Sequence, residues 1–567
     1  MDEMQKPLLV ALVLTVVCGS VAVAGGNDVV TLLKKVEDVN VEAKDLAAAV
    51  RSLGELRSAE AVVPLAALLK HKNEHVRDET MYALVRIGKP SVPALAKLVG
   101  DATELPATVD ESYTAHKYPD YVKSRRPLGW RQMGPGKLYA PVALHVNRYA
   151  IRALGLIGHR GALKAIDEAE SKFSGNRWIR DECRRARIAI LGEKTPLSAD
   201  MRPWMLAEIG NPAAADALVA SVAGSLRKTS KGNIAEKFGP YTDFGGSAPA
   251  DAIRRIDALG VLRSSRSSDV LLRLANEGVH NDWQWLHAGM HDLVDHFHGI
   301  GVGWDGHWMA PLAACRALGE SGVKQAIPAL KKRLADKNIL VRLSAARALA
   351  QLGDESGLQT ALRASRWMHV EFVSDFDKKG KPWLQHWVNE DQSRMANHDS
   401  KYPGKTWFRP VPNYQYLLAY DSLGHIGNRQ ARDKLKQRAN EILALRGGKF
   451  FNEYYQTDLL WLASALNRIG QRELAKRALD AGMELFAGER ATSVHLRHFH
   501  MAALPALAKI NDRSTLDAVG RVLAHHQTTW RPGTYDIRDL AWGVYLTLVG
   551  RRDPNKPLRC SELCWLH

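Results

Sequence analysis

The sequence lacks the short motifs that mark the common catalytic sites. It has no HExxH pair to bind zinc beside a glutamate base, no GxSxG elbow to present a nucleophilic serine, and no CxxCH site to attach haem. Stretches of alternating apolar and polar residues are almost absent, and no linker rich in proline, glycine or serine divides the 567 residues. These absences favour one continuous helical chain and make catalysis the less favoured class of function.

Cysteine is also scarce, with five residues in the whole chain. Cys183 and Cys315 lie in segments with a helical pattern, and we expect both to be buried free thiols. Cys560 and Cys564 are close together in the last residues of the sequence. They are candidates for a local disulfide in an oxidising compartment.

A short phrase recurs along most of the chain. A leucine is followed three residues later by an aliphatic residue and then usually by glycine, at the end of an alanine-rich amphipathic run. The copies are SLGELR from Ser52, ALVRIG from Ala83, ALGLIG from Ala153, LAEIG from Leu206, ALGVLR from Ala258, ALGESG from Ala317, ALAQLG from Ala348, SLGHIG from Ser422, ALNRIG from Ala465, ALAKIN from Ala506 and LTLVG from Leu546. A repeated helical unit predicts an all-α solenoid of stacked antiparallel helix pairs.

The phrase predicts the end of a helix. Its leucine and aliphatic residue lie on one buried face, and its glycine adopts the left-handed conformation that commonly ends a helix. Arg57, Arg263 and Asn511 stand where other copies have glycine. Asparagine tolerates the left-handed conformation, so arginine is the weaker prediction of a helix end.

Two segments show the whole unit, from Glu60 to Gly88 and from Gln325 to Gly353, and they align without a gap across helix, turn and helix. Both have a proline near the first helix start, a KN turn, and a VR pair that opens the second helix. These segments resemble HEAT repeats, most closely the short repeats of phycobilisome-lyase-type HEAT proteins, and the resemblance extends from about residue 45 to 550. It implies an α-solenoid that acts as a binding scaffold. More narrowly, the resemblance could imply chromophore attachment. The signal peptide described below argues against that activity.

The spacing of the phrase suggests a larger duplication. Leu53, Leu84 and Leu154 recur in the same order, at nearly constant spacing, as Leu318, Leu349 and Leu423. We therefore predict two solenoid halves, 25–270 and 311–550, joined by a central segment at 271–310 and followed by a tail at 551–567. Helical repeats also generate such coincidences, so an origin without duplication stays open.

Residues 1–24 resemble a signal peptide. Lys6 precedes an apolar run from Pro7 to Val17, and Ala22-Val23-Ala24 has the small residues that signal peptidase requires. We expect export to the periplasm or the extracellular space, with no membrane span after cleavage. An uncleaved anchor is the alternative.

Two insertions, 101–145 and 367–416, are rich in aromatic residues next to basic ones. Such side chains suit cation–π contacts, sugar stacking and protein hot spots, whereas the alternative is that the rings only pin long loops to the solenoid. The candidate binding residues are Tyr113, His116, Tyr118, Tyr121, Arg125, Arg126 and Trp130 in the first insertion, and Trp367, Trp383, His386, Trp387, Tyr402 and Trp407 in the second.

The central segment contains six histidines between residues 280 and 308. On a helix, His287, His291 and Asp295 follow at intervals of four residues and would lie on one face, where they could hold zinc or copper. The alternative is ordinary packing of an amphipathic helix.

The formal net charge of +17 favours acidic partners. We therefore expect a non-catalytic scaffold without a cofactor that binds a protein, or otherwise an acidic glycan or anionic surface. Nucleic acid would be the first expectation for a cytosolic chain, but export makes it a poor candidate. The alternative function is a metal-binding protein or enzyme centred on 280–308.

Overall fold

The computed structural model describes residues 28–105, 130–132, 139–141, 144–201, 203–229, 256, 258–260, 262, 267–277, 309–336, 339–365, 368–372, 384–388, 414–448, 451, 453–487, 497–524 and 537–553. Helices dominate these residues. Up to Gly192 they are α1 (Ala43–Glu55), α2 (Val62–Leu68), α3 (Glu74–Ile87), α4 (Val92–Leu98), α5 (Val146–Ile157), α6 (Leu163–Lys172) and α7 (Arg177–Leu191). From Glu193 they are α8 (Pro203–Ile209), α9 (Pro212–Thr229), α10 (Ser268–Glu277), α11 (Met309–Ser321), α12 (Ile327–Arg333), α13 (Ile339–Gln351), α14 (Leu358–Ala364), α15 (Tyr414–Ile426), α16 (Arg429–Leu443), α17 (Glu453–Arg468), α18 (Arg472–Gly482), α19 (Arg497–Ile510), α20 (Leu516–Ala524) and α21 (Ile537–Leu548).

The helices stack in two rows within each of two compact units. The first unit is made mainly of residues up to Gly192 and the second mainly of residues from Glu193 on. In row A of the first unit, α1, α3, α5 and α7 pack successively against one another, and in row A of the second unit α11, α13, α15, α17, α19 and α21 do the same. Row B consists of the intervening helices, among them α2, α12, α14, α16 and α18, which pack against their row A neighbours. The predicted all-α solenoid of antiparallel helix pairs is confirmed.

The core lies along row A, where helices are covered on nearly every side. Ten of the thirteen residues of α13 are buried, including Leu343, Ala346 and Leu349. Glycine and alanine allow neighbouring row A helices to approach closely. A Cβ at Gly319 would lie 2.6 Å from the Cα of Ala348, so a larger residue at this position would force the two helices apart.

The turn between the two helices of a repeat is closed by an arginine. Arg77 donates from Nη1 to the backbone carbonyls of His71 (2.8 Å) and Lys72 (3.0 Å). Arg342, at the same position of the other complete repeat, donates in the same way to the carbonyl of Asp336 at 2.9 Å. This geometry explains the VR pair of the sequence, because its arginine satisfies carbonyl groups that the end of the preceding helix leaves without partners.

The helix ends predicted from the phrase are confirmed where they are described. Glycine adopts a positive φ at the end of the phrase copies at Gly88, Gly158, Gly210, Gly322, Gly353, Gly427, Gly470 and Gly550. Arg57 (φ 51°) and Asn511 (φ 53°) adopt the left-handed conformation themselves. The arginine copy therefore ends its helix in the same way as the others, whereas Arg263 lies outside the described residues.

Short antiparallel hairpins occur in the two insertions, although the sequence offered almost no strand pattern. In the first insertion β1 (Glu104–Leu105) pairs with β4 (Leu144–His145), and β2 (Trp130–Gln132) pairs with β3 (Tyr139–Pro141). In the second, β5 (Met368–Phe372) pairs with β6 (Leu384–Val388). These strands are too short for alternation to give a clear signal.

The helix order recurs along the chain. The order α1 to α4, an insertion, and α5 corresponds to the order α11 to α14, an insertion, and α15. The close contact of Gly319 with Ala348 likewise has a counterpart at the matching positions of the first unit, between Gly54 and Ala83. This is the correspondence that a duplication requires. The duplication and the division at 271–310 stay predictions.

Two further features bear on the sequence predictions. Cys183 and Cys315 are buried free thiols, as predicted, and burial raises the pKa of each to about 12. Among the described residues, no helix combines the length and the apolar character needed to cross a bilayer.

Candidate functional site

Polar or charged side chains recur at one or both of two fixed positions of the phrase in the second unit. They stand immediately before its first small residue and three residues after it, so they are four residues apart and share one side of a row A helix. Stacking brings these sides of successive helices together. We call the resulting set the polar seam: Arg316 and Glu320 on α11, Arg347 and Gln351 on α13, Asp421 and His425 on α15, Arg468 on α17 and Lys509 on α19.

Asp421 is the centre of the polar seam. Its carboxylate lies 2.6 Å from Nε of Arg347, and it accepts hydrogen bonds from Nη1 of Arg468 at 3.0 Å and from Nζ of Lys509 at 2.8 Å. These three cations come from three different helices. One buried carboxylate therefore links α13, α17 and α19 to α15.

Glu320 extends the network toward α11. It accepts a hydrogen bond from Nε of Arg316 at 3.2 Å, and the same oxygen lies 3.5 Å from Nη2 of Arg347. Arg347 thus contacts both carboxylates of the polar seam. The network is continuous from α11 to α19.

Lys509 is held by a second contact. Its ammonium group lies 4.3 Å from the ring centroid of Trp461, which is the geometry of a cation–π interaction. Trp461 is buried and donates from Nε1 to the backbone carbonyl of Ala502 at 2.8 Å, so its ring is fixed as well.

Two titratable groups of the polar seam, Asp421 and His425, have strongly shifted pKa values. Burial alone would raise the pKa of Asp421, but Lys509, Arg347 and Arg468 hold it well below its ordinary value. Burial and the neighbouring cations lower the pKa of His425 to about 3, which outweighs the attraction of Asp421. Asp421 is therefore ionised and His425 neutral at pH 7, and neither is suited to exchange a proton with a substrate.

The side chains of the polar seam differ in solvent exposure. The side chain of Asp421 is fully buried and that of Arg347 is 5% exposed, whereas Lys509 is 17%, His425 21% and Arg468 31% exposed. The polar seam is thus a structural ion network at one end and an accessible cationic surface at the other. Fixed, accessible cations suit the binding of an anionic group.

A second buried cluster lies between α15 and α17. Tyr420 donates its hydroxyl hydrogen bond to Asp458 at 3.4 Å, and both side chains are buried. Desolvation raises the pKa of Asp458 to about 8, although Arg438 and Tyr420 act in the opposite direction. Asp458 is therefore mostly protonated at neutral pH, and its hydrogen bond with Tyr420 is part of the packing between α15 and α17.

Row A of the first unit has its own buried ion pairs. Glu182 contacts Arg152 at 2.5 Å and Arg148 at 3.5 Å, and Arg51 pairs with Glu79. Burial would raise the pKa of Glu182, but Arg152 and the neighbouring arginines lower it to about 2. The carboxylates of Glu182 and Glu79 are buried, and each pairs with an arginine on the neighbouring row A helix.

Most of the candidate residues predicted from the sequence lie outside the described residues. This applies to Tyr113, His116, Tyr118, Tyr121, Arg125, Arg126, Trp367, Trp383, Tyr402 and Trp407, to His287, His291 and Asp295, and to Cys560 and Cys564. Trp130 is part of β2, and His386 and Trp387 are part of β6. The aromatic binding sites, the zinc or copper site and the disulfide all stay predictions. Within the described ranges, no group of three His, Cys, Asp or Glu side chains could hold a metal ion.

The phrase is evident from the sequence, but the polar seam is not. A signal was present, since the residue three places after the first small residue is polar in ALGESG, ALAQLG, SLGHIG, ALNRIG and ALAKIN. Its meaning depends on stacking, because Arg347 and Asp421 belong to different repeats and are far apart in the sequence. Periodicity within one helix does not reveal such a partner.

Comparison with known proteins supports the repeat assignment. Residues 30–107 and 304–366 match the sequence pattern of HEAT repeats. No curated protein matches the chain. Among solved structures, the chain is similar to the complex of CpcE and CpcF of phycocyanin lyase from Nostoc sp. PCC7120, with 17% identity, 55% of this chain and 96% of that chain covered, and a TM-score of 0.27.

Two other solved structures are similar at comparable levels. Human deoxyhypusine hydroxylase in complex with glycerol has 14% identity, with 59% of this chain and 98% of that chain covered and a TM-score of 0.20. Importin beta has 14% identity, with 89% and 70% covered and a TM-score of 0.21. TM-scores this low support no inference about function. The matched segments include the complete helix pairs α2–α3 and α12–α13, so the α-solenoid contains HEAT repeats in these two regions.

Proposed function

We propose that this protein is an exported, non-catalytic scaffold that binds an acidic protein partner. The observation that carries the proposal is the polar seam, which presents cations from α17 and α19 in fixed positions beside Asp421. HEAT repeats commonly mediate protein–protein interactions, and a row of stacked helices offers a long surface for such contacts.

The charge of the chain supports an acidic partner. A formal net charge of +17 attracts acidic surfaces over long distances and accelerates association at low ionic strength. The aromatic insertions would add contact area. A signal-peptide-like N-terminus supports export, and an acidic partner would then belong to the same extracytoplasmic compartment.

The proposal is tested by capture of the partner from the native compartment. The full chain, tagged at its C-terminus, is crosslinked in intact cells and purified, and the bound molecules are identified by mass spectrometry with elemental analysis of the same sample. We expect one acidic protein, recovered reproducibly and in decreasing amounts as the salt concentration of the wash rises.

Other outcomes contradict the proposal in different ways. An acidic glycan or nucleic acid as the enriched component would replace the protein partner. Stoichiometric zinc or copper without a partner would instead support the metal-binding function predicted for 280–308. A chain that fractionates with cytosolic proteins would remove the export part of the proposal.

A further inference from the structure

We propose that Arg468 and Lys509 form a binding site for a carboxylate group of an acidic protein segment, at the exposed end of the polar seam. The inference rests on the proposed protein-binding function and deepens it by assigning the contact residues and the chemical group that they recognise.

Arg468 is held in place while part of it remains accessible. It donates one hydrogen bond from Nη1 to Asp421, which is the acceptor it contacts in the described part of the chain, and its side chain is 31% exposed. A guanidinium group has five donors in a planar fork that matches a carboxylate. The bond to Asp421 therefore leaves donors of Arg468 directed toward solvent.

Lys509 supplies a second cation at the same place. Its Nζ and Nη1 of Arg468 both lie within 3.0 Å of the Asp421 carboxylate, so the two cationic groups are neighbours. The stacking of Lys509 on Trp461 fixes the long side chain. Because Asp421 and Trp461 order both cations before a ligand arrives, binding costs less side-chain entropy than at two free surface cations.

The arrangement fits a carboxylate better than a sulfated or phosphorylated polymer. Polymeric anions are usually bound by cations spaced along an extended surface, whereas Arg468 and Lys509 converge on a single carboxylate of this chain. His425 next to them is partly exposed and neutral, so it adds no further charge. Two converging cations therefore suit one carboxylate, from an acidic side chain or a chain terminus.

The site is tested with fluorescein-labelled decaglutamate as the probe and fluorescence anisotropy of the full chain at low ionic strength. We expect Arg468→Gln to weaken binding by about tenfold or more, since hydrogen bonds between charged groups are among the stronger ones. Arg477→Gln is the matched control. Arg477 is an exposed arginine on α18 in row B, and its replacement changes the net charge by the same amount.

Arg468→Lys keeps the proposal testable if Arg468→Gln fails to fold. Lysine retains the ion pair with Asp421 but not the planar fork, so we expect affinity below the wild type and a circular dichroism spectrum unchanged from it. Equal affinity of the Arg468 variants and Arg477→Gln would overturn the site, as would absence of decaglutamate binding. Heparin binding that depends on Arg468 while decaglutamate binding does not would assign the site to a glycan instead.

Failure of this site is distinguishable from failure of the proposed function. If the crosslinking experiment captures a protein partner and Arg468→Gln captures it equally well, the scaffold function stands and this site is wrong. If no protein is captured by the wild type, the proposed function itself is wrong.

Discussion

Two buried titratable residues of the second unit respond to pH in opposite directions. His500 is 3% exposed, its ring lies 5.0 Å from that of Phe486, and burial lowers its pKa from 6.5 to about 4. Asp458 is also buried, and desolvation raises its pKa from 3.8 to about 8. Neither group is part of the polar seam, so both report on packing alone.

The signs follow from proton linkage. Between pH 4 and 6.5, His500 is neutral when folded and protonated when unfolded, so its contribution makes the free energy of unfolding rise with pH. Asp458 is protonated when folded and ionised when unfolded, so its contribution makes the same free energy fall with pH. Each slope is about 1.4 kcal/mol per pH unit, and in this window the two cancel.

We therefore predict that substituting either residue alone reveals the pH dependence of the unfolding free energy that cancels in the wild type. His500→Gln makes the slope of the unfolding free energy between pH 4.5 and 6 more negative by about 1.4 kcal/mol per pH unit, and Asp458→Asn makes it more positive by the same amount. Urea unfolding at a series of pH values measures both. Slopes that match the wild type in either variant would show that the residue titrates normally in the folded chain.

At the scale of the helix, the end of the first phrase copy carries backbone strain that the copies ending in glycine avoid. Arg57 has a φ of 51°, which costs a non-glycine residue about 1–2 kcal/mol. Glycine would relieve this strain. It would also increase the conformational entropy of the unfolded chain, which lowers the free energy of unfolding by about 0.5–1 kcal/mol. We predict that Arg57→Gly raises the free energy of unfolding by about 0.5–1 kcal/mol.

The reverse change at an equivalent helix end is the matched control. Gly353 has a φ of 85° and open space around it, so Gly353→Arg tests conformation without a steric clash. It should lower the free energy of unfolding by about 1 kcal/mol, measured by urea unfolding of both variants. A loss on Arg57→Gly would show that the arginine side chain stabilises this helix end by contacts.

Helix ends could be predicted from the sequence because their cause is local. The left-handed residue at Gly88 or Gly353 follows from the phrase itself, and so does the buried leucine before it. The polar seam has a cause that is not local, since the partner of Arg347 is fixed by which helix stacks next to α13. The same holds for the contact of Gly319 with Ala348, because the sequence shows two small residues but not that they meet.

At the scale of the whole molecule, the stacking of helices predicts which helices lose stability when a residue of the polar seam is substituted. In a solenoid each repeat contacts mainly its neighbours. The loss of one contact therefore destabilises the adjacent repeats more than distant ones. Asp421 ties four row A helices of the second unit together. In the first unit, α1 and α3 contribute no residue to the polar seam, so they serve as an internal reference.

We predict that Asp421→Asn lowers the free energy of unfolding by about 3–5 kcal/mol, because it removes the fully buried carboxylate that pairs with three cations. Asp433→Asn is the control. Asp433 pairs with Arg429 at 3.9 Å on an exposed part of α16, where the loss should stay within about 0.5 kcal/mol.

Hydrogen exchange followed by mass spectrometry locates the effect of Asp421→Asn. Protection should fall in α13, α15, α17 and α19 and stay unchanged in α1 and α3, because the lost contacts belong to the second unit alone. Uniform loss across all of these helices would instead show that the described chain unfolds as one cooperative structure, in which case Asp421 stabilises the solenoid as a whole.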